Sequence, residues 1–148
     1  PPGQPSGQRL VFQADPASVR LALTRMLGQP PLSGLTDDAR GMAELVLAEV
    51  LNNVAEHAYG EAGGTVSVML DPDPGGIRCL ITDAGRAMPG GQLPEGRLPG
   101  GPDLALEDLP EGGFGWHLIR ALCVDLTYAR AGGQNRLSFV LSASSPET

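Results

Sequence analysis

The sequence predicts one domain that contains both helices and strands (α/β, in the narrower sense α+β). In it, the helices and a sheet form a two-layer sandwich. Three observations support this fold class. Two segments with apolar residues at a period of 3.6 indicate amphipathic helices before the first pair of strands. Turn-rich connectors then join short apolar strands into hairpins. The 148 residues suffice for one self-sufficient hydrophobic core.

Composition sets the domain limits. Residues 1–8 are rich in Pro, Gly and Ser and are expected to be a disordered tail. A single domain is expected over 9–143, followed by a C-terminal tail at 144–148. Within the domain, residues 85–113 contain 13 Gly or Pro among 29 residues, and loops of that length are usually lids or binding loops. We therefore expect a lid at about 85–113.

The first half of the domain begins with a strand at 10–12. Asp15 is a helix N-cap followed by Pro16 at the first helical position, and this helix is expected to run to about Leu27. Thr36 caps a longer helix that is expected to continue to Gly60. Its apolar positions keep the helical period, and they are Met42, Leu45, Val46, Leu47, Val50, Leu51, Val54 and Ala58.

The second half is mostly strands. Strands at 65–70 and 77–82 are joined by the turn-rich stretch 71–76, which suits an antiparallel hairpin. After the lid, a helix is expected at 114–123. Two further strands follow at 124–130 and 136–141. The buried-looking Cys79 and Cys123 are expected to be reduced core thiols and not a disulfide.

Charge and hydropathy exclude several classes of partner. The net charge is −7 and no basic stripe is present, which argues against nucleic acid as a partner. No apolar run is long enough to span a membrane, and no signal peptide is evident. The expected location is the cytoplasm.

The most informative segment is a polar seam on the longer helix. Glu49, Asn53 and His57 are spaced by four residues and so fall on nearly one face, while their apolar neighbours turn to the core. An amide oxygen such as that of Asn53 suits Mg²⁺, and Glu49 could take a proton from an attacking hydroxyl. Alone, this pattern could also be a solvated helix face. His57 is best interpreted as a hydrogen-bonding residue at the helix end.

Two further clusters complement the seam if the ligand is a nucleotide. Asp83 ends a strand, where its carboxylate could accept a hydrogen bond from the exocyclic amine of adenine, and Gly85 would let the base approach the backbone. Residues 112–115 place backbone N–H groups at a helix N-terminus, which favours phosphate. A dinucleotide-binding fingerprint is excluded there because Leu118 replaces its third glycine.

These residues carry a family resemblance. The sequences Glu49-x-x-x-Asn53-x-x-x-His57, Asp83-Ala84-Gly85 and Gly112-Gly113-Phe114-Gly115-Trp116 occur in the order of the asparagine box and two glycine boxes of the GHKL (Bergerat-fold) ATPases. Within that superfamily the chain most resembles the bacterial anti-sigma-factor serine/threonine kinases. The resemblance runs from about Leu10 to Leu141. It implies a mixed, largely antiparallel sheet with helices on one face.

The resemblance also implies functional roles. Glu49 would be the catalytic base and Asn53 the Mg²⁺ ligand, with ATP or ADP as the bound nucleotide. Asp83 would read adenine. The remaining nucleotide-pocket positions would be His57, Gly85, Ala87, Gly113, Phe114, Gly115 and Asn135. The implied partners are an anti-sigma-factor antagonist of the STAS type and a sigma factor, and a homodimer is left open.

Two positions depart from the family pattern. Ala87 stands where the first glycine box usually has a second glycine, and Asn135 stands where many relatives have a threonine. Two alternative functions therefore stay open. One is a nucleotide-dependent binding module without kinase activity. The other is the catalytic ATPase domain of a histidine kinase, although the chain shows no helical phosphoacceptor segment.

Overall fold

A computed structural model describes residues 7–93 and 113–142 of the chain. In order, the elements are β1 (Gln8–Gln13), α1 (Pro16–Leu27), α2 (Asp37–Asn53), β2 (Thr65–Asp73), β3 (Gly76–Asp83), α3 (Gly113–Leu122), β4 (Cys123–Ala131) and β5 (Gln134–Ser142). A six-residue π-helical turn, Val54–Tyr59, continues α2.

The five strands form one sheet in the order β1-β2-β3-β5-β4, and all four pairings are antiparallel. This confirms the predicted α+β fold, with a sheet that is antiparallel throughout the described part of the chain. One face of the sheet carries the buried residues and packs with the helices in a single core. The inward-facing residues of the central strands include Val66, Val68, Leu70, Ile77, Cys79, Ile81, Leu137 and Phe139.

Helix α1 begins as the sequence predicts. The Asp15 carboxylate accepts a hydrogen bond from the Ser18 N–H at 2.8 Å, and Pro16 occupies the first turn. This N-cap hydrogen bond lowers the pKa of Asp15, because it favours the charged carboxylate. At the other end, Gly28 donates to the Thr24 carbonyl and closes the helix. Local chemistry therefore fixes both ends of α1.

The structure differs from the sequence-based expectation at the end of the longer helix, at the β2/β3 turn and in the exposure of one side chain. The longer helix does not keep its 3.6 period to Gly60, because α-helical hydrogen bonding ends at Asn53 and the π-helical turn follows. Residues 71–76 are not a long connector, because β2 and β3 extend until only Pro74 and Gly75 form the turn. Leu45, one of the apolar positions that keep the helical period, is 50% exposed.

Strand β1 begins at Gln8, the last residue of the expected N-terminal tail. The Gln8 side chain is buried and donates from Nε2 to the carbonyl oxygens of Met26 and Gln29, near the end of α1. The rest of that tail, the C-terminal tail and residues 94–112 of the expected lid lie outside the described residues. No helix in 7–93 or 113–142 has both the length and the apolar character to cross a bilayer.

Candidate functional site

A cavity of about 510 Å³ lies between the sheet and the end of α2. Its walls combine apolar side chains with a few convergent polar groups, which is typical of small-molecule sites. The lining residues are Val50, Asn53, Val54, His57, Ala58, Ile81, Asp83, Arg86, Ala87, Met88, Pro89, Trp116, Tyr128, Asn135 and Leu137. Five of the residues predicted from sequence are therefore brought together: Asn53, His57, Asp83, Ala87 and Asn135.

Asn53 is the last residue of α2 and reaches the cavity from the helix side. Its Nδ2 donates to the Glu49 carbonyl oxygen one turn earlier, at 2.8 Å. This hydrogen bond uses the amide nitrogen within the helix, so the amide oxygen is left for a ligand. Hard cations such as Mg²⁺ bind oxygen and not nitrogen donors of an amide. The orientation of Asn53 thus fits the metal-ligand role predicted for it.

Glu49 is half-buried and lies one helical turn before Asn53. Its side chain is not among the described residues that line the cavity. Within the described part of the chain, the Asn53 amide therefore lines the cavity, whereas the Glu49 carboxylate does not. A general base must reach the proton that it accepts, directly or through one water. The base role of Glu49 stays a prediction.

The π-helical turn positions the third member of the seam. A π-helix forms i→i+5 hydrogen bonds and widens the turn, and such turns occur frequently at functional sites. His57 lies on this turn, lines the cavity and keeps an exposed side chain. Its carbonyl oxygen accepts a hydrogen bond from Arg86 Nη2 at 3.0 Å. This hydrogen bond is made by the backbone of His57, and the role of its side chain stays a prediction.

Gly85 follows β3 and lies against the π-helical turn. A β-carbon at Gly85 would be 2.5 Å from the Ala58 carbonyl oxygen and 2.7 Å from the Ala58 β-carbon. The next residue, Arg86, donates its backbone N–H to that same carbonyl at 2.7 Å. Sequence reasoning assigned Gly85 to close approach by a base. The structure shows a packing role for this glycine between the loop and the helix end, and the approach of a base stays a prediction.

Asp83 and Asn135 form the polar floor of the cavity. They are direct partners in the β3/β5 register, and each is 6% exposed. Asn135 Nδ2 donates to Asp83 Oδ1 at 2.8 Å, and the Gly85 N–H donates to the same oxygen at 2.9 Å. The side chain predicted to read adenine is therefore held in a fixed orientation by its neighbours.

Sequence reasoning missed three residues that surround this pair. Tyr128 Oη donates to Asn135 Oδ1 at 2.6 Å, and Arg130 Nη1 donates to the same oxygen at 2.9 Å. Tyr59 Oη accepts from the Ala84 N–H at 2.8 Å and donates to the Thr65 carbonyl. Tyr128 and Arg130 are two residues apart on β4, so strand alternation places them on one face. Two polar residues at this spacing, on a strand that pairs with the strand of Asn135, are the sequence signal for these contacts.

Helix α3 closes the cavity on the side of the second glycine cluster. Gly113, Phe114 and Gly115 form its first turn, and Trp116 follows them. Trp116 is 2% exposed and lines the cavity. The N-terminus of α3 therefore lies near the cavity. Helix N-termini offer unpaired N–H groups that favour anions, and phosphate binding by this turn stays a prediction.

The metal-binding groups of the cavity suit a cation that takes most of its ligands from water and from a bound phosphate. Among the described residues, no group of three or more His, Cys, Asp and Glu side chains is arranged to hold a metal. Mg²⁺ at a nucleotide site does not require such a cage, because it keeps waters and takes phosphate oxygens beside one or two protein ligands. The oxygen of Asn53 meets that requirement.

Comparison with known proteins places this geometry in context. The family model described as the histidine kinase-like ATPase domain matches residues 12–141. The serine-protein kinase RsbW of Halalkalibacterium halodurans is 32% identical to this chain over 89 residues, covering 60% of this chain and 54% of that protein. The serine-protein kinase RsbW of Oceanobacillus iheyensis is 26% identical over 114 residues, covering 76% of this chain and 72% of that protein.

A solved structure shows the same fold. The crystal structure of the RsbU and RsbW domains of a Mycobacterium tuberculosis protein matches with a TM-score of 0.55 at 16% sequence identity. The match covers 93% of this chain and 33% of that longer chain. The chain thus spans about half the length of the first RsbW relative and a third of the multidomain structure.

Proposed function

Because the chain belongs to the histidine kinase-like ATPase domain family, we propose that it binds ATP with Mg²⁺ and phosphorylates a partner protein on serine or threonine. The observation that carries this proposal is the cavity between Asn53 and Asp83. This cavity is lined by the Asn53 amide, whose oxygen suits a phosphate-bound cation, and by the buried Asp83 carboxylate, which suits an exocyclic amine. The names of the two RsbW relatives support serine as the acceptor.

In this proposal, Asp83 binds the 6-amino group of adenine and the apolar wall formed by Val54, Ile81 and Leu137 packs against the base. Asn53 is the protein ligand of Mg²⁺, which neutralises phosphate charge when bound. Glu49 accepts the proton of the partner's hydroxyl as its oxygen bonds to the γ-phosphorus and ADP leaves. The N-terminal turn of α3 supplies N–H groups to the phosphates.

The proposed acceptor is an anti-sigma-factor antagonist of the STAS type, and the proposed sequestered protein is a sigma factor. The RsbW relatives support the kinase part of this assignment by their names, and the partners follow from the resemblance. The proposal places the protein in the cytoplasm, where ATP is present and where the two free cysteines stay reduced.

Two observations favour a second candidate function. Glu49 does not line the cavity formed by the described residues, and Ala87 replaces a glycine in the wall. A chain that binds nucleotide and captures a partner without transferring phosphate would have these two features. In that case the nucleotide controls partner affinity only.

Two measurements test the proposal. Calorimetry with ATP, ADP and GTP in Mg²⁺ should show a preference for adenine, and Asp83→Asn should weaken ATP binding roughly ten- to a hundredfold, as expected for a lost hydrogen bond to a charged group. Asp71→Asn, an exposed change on β2, is the matched control. Absence of adenine-nucleotide binding by the wild type would refute the proposal.

The kinase step needs its own assay. The purified chain is incubated with ATP labelled at the γ-phosphate and with STAS-domain proteins of the same organism. Label on a serine or threonine of one of them is the expected result. If ATP binds and every STAS protein stays unlabelled while nucleotide changes the affinity for one of them, the binding-module function is correct instead.

A further inference from the structure

Asn135 is the most completely bonded side chain at the floor of the cavity. Its Nδ2 donates to Asp83 Oδ1 and to the Arg86 carbonyl, both at 2.8 Å. Its Oδ1 accepts from Tyr128 Oη and Arg130 Nη1. An amide has two N–H donors and two acceptor positions on its oxygen, so every one of these is occupied. Asn135 has no hydrogen-bonding capacity left for a ligand.

The same pattern fixes which way the amide faces. Oxygens of Asp83, Gly85 and Arg86 surround the nitrogen, whereas an O–H and an N–H face the oxygen. A flipped amide would point its oxygen at three acceptors. Asn135 can therefore present only a donor to Asp83.

This contact decides how Asp83 faces the cavity. Both hydrogen bonds that the carboxylate accepts from described residues, from Asn135 and from the Gly85 N–H, end on Oδ1. Two donors saturate that oxygen. Oδ2 is the carboxylate oxygen left for a ligand, and the carboxylate cannot rotate without breaking two hydrogen bonds in a buried site, which is costly.

The hairpin of β4 and β5 holds the neighbouring loop through the same side chains. Arg130 Nη1 donates to the Gly85 carbonyl at 2.8 Å, and Tyr128 Oη accepts from the Met88 N–H at 3.0 Å. The Asn135 amide donates to the Arg86 carbonyl between them. The loop that carries Ala87 and Met88 into the cavity wall is thus tied to the carboxylate through one amide.

We propose that Asn135 is a positioning residue that sets purine selectivity by holding Asp83 with Oδ2 as its one open acceptor. This inference rests on the proposed binding of adenine nucleotides. A held carboxylate accepts from the 6-amino group of adenine and repels the 6-oxo oxygen of hypoxanthine. A carboxylate free to turn can instead accept from the N1–H of a 6-oxo purine, and the preference for adenine then falls.

The test compares ATP with inosine triphosphate, whose base has a 6-oxo group in place of the amine. The Kd of each nucleotide is measured with Mg²⁺ for the wild type, Asn135→Ala, Tyr128→Phe and Arg136→Gln. Arg136 is the matched control, because it neighbours Asn135 on β5 but is exposed on the opposite face. Circular dichroism and urea unfolding establish that each variant is folded.

We expect Asn135→Ala to lower the ratio of the inosine triphosphate Kd to the ATP Kd by about tenfold, because a methyl group makes no hydrogen bond to Asp83, Arg86 or Tyr128. Tyr128→Phe leaves Arg130 on the amide and should lower the ratio by roughly two- to threefold. Arg136→Gln should leave the ratio unchanged. Tyr128→Phe alone decides the question if Asn135→Ala does not fold.

Two outcomes would overturn the inference. In the first, the variants bind both nucleotides more weakly by the same factor, which would make Asn135 a purely structural residue. In the second, they bind both nucleotides with the wild-type Kd values. These are distinct from failure of the proposed function, in which the wild type binds no adenine nucleotide or shows no preference between the two bases.

Discussion

Gly85 and Ala58 meet in backbone contact, so that the loop after β3 lies directly on the π-helical turn that ends α2. A β-carbon on Gly85 would be 2.5 Å from the Ala58 carbonyl oxygen, which real β-carbons do not approach. The Arg86 N–H also donates to that carbonyl. The cavity owes its shape on this side to the absence of one methyl group.

Gly85→Ala should therefore destabilise the protein even without nucleotide. The added methyl group must displace either the loop or the π-helical turn, and overpacking of this kind costs about 1–3 kcal/mol of unfolding free energy. Urea unfolding of the nucleotide-free protein measures this. A variant as stable as the wild type would restore the interpretation that the glycine serves only ligand approach.

Gly41→Ala is the matched control for this experiment. Gly41 is exposed in the interior of α2, and a β-carbon there would contact nothing within 4 Å. Because glycine is a poor helix former, its replacement by alanine should stabilise the protein by about 0.5–1 kcal/mol. The two substitutions should thus shift the urea midpoint in opposite directions.

Asn53→Ala and Glu49→Gln should separate binding from phosphate transfer. Loss of the Asn53 oxygen should weaken Mg²⁺-dependent ATP binding, while the exposed neighbour substitution Asn52→Ala should not change it. Glu49→Gln should leave ATP affinity nearly unchanged. It should lower the rate of single-turnover phosphate transfer to the partner by a factor of about 10²–10⁴. Transfer by Glu49→Gln at the wild-type rate would exclude Glu49 as the base.

Trp116 should report nucleotide binding directly. It is the only tryptophan of the chain, is 2% exposed and lines the cavity. A ligand in the cavity replaces solvent beside the indole, so the emission should change in a saturable way during an ATP titration. Asp83→Asn should shift that titration to higher ATP concentration. An emission spectrum that stays constant while calorimetry detects binding would place the nucleotide elsewhere.

The two cysteines should be unreactive in the folded protein. Burial raises the pKa of both thiols, that of Cys123 to about 12, because the thiolate is poorly solvated in the core. A thiol reagent at pH 8 should label neither until urea unfolds the chain. Rapid labelling of the native protein would show that the core opens near β3 or β4.

The raised thiol pKa values also predict an alkaline loss of stability. Unfolded thiols ionise near pH 8.5, whereas the buried ones stay protonated, so the unfolded state gains stability as pH rises above about 8.5. Below that pH the thiols are protonated in both states, so they cause no loss of folding stability. Replacing both cysteines by alanine should flatten the dependence of the urea midpoint on pH between 8 and 11, compared with the wild type.

Local chemistry explains what the sequence predicted well. The Asp15 cap, Pro16 and Gly28 define α1 through contacts within four residues. The apolar period of α2 placed Leu47, Val50, Leu51 and Val54 in the core, where they are buried. The order of the asparagine box and the glycine boxes along the chain predicts one shared site for Asn53 and Asp83. Both residues line the cavity.

Tertiary contacts decided the rest. The π-helical turn after Asn53 redirects His57, and no residue pattern in 54–59 distinguishes it from a continued α-helix. Gly85 packs on Ala58, 27 residues earlier in the chain, and no local pattern predicts that contact. The Asn135 amide makes hydrogen bonds to Asp83, Arg86, Tyr128 and Arg130, while the nucleotide-pocket roles of both residues stay predictions. The sequence by itself identified Asn53, His57, Asp83, Ala87 and Asn135 as cavity residues, because residue type and helical or strand period are local properties. Only the fold decided which of them still has a lone pair or a proton to offer a ligand, because that depends on partners up to 52 residues away.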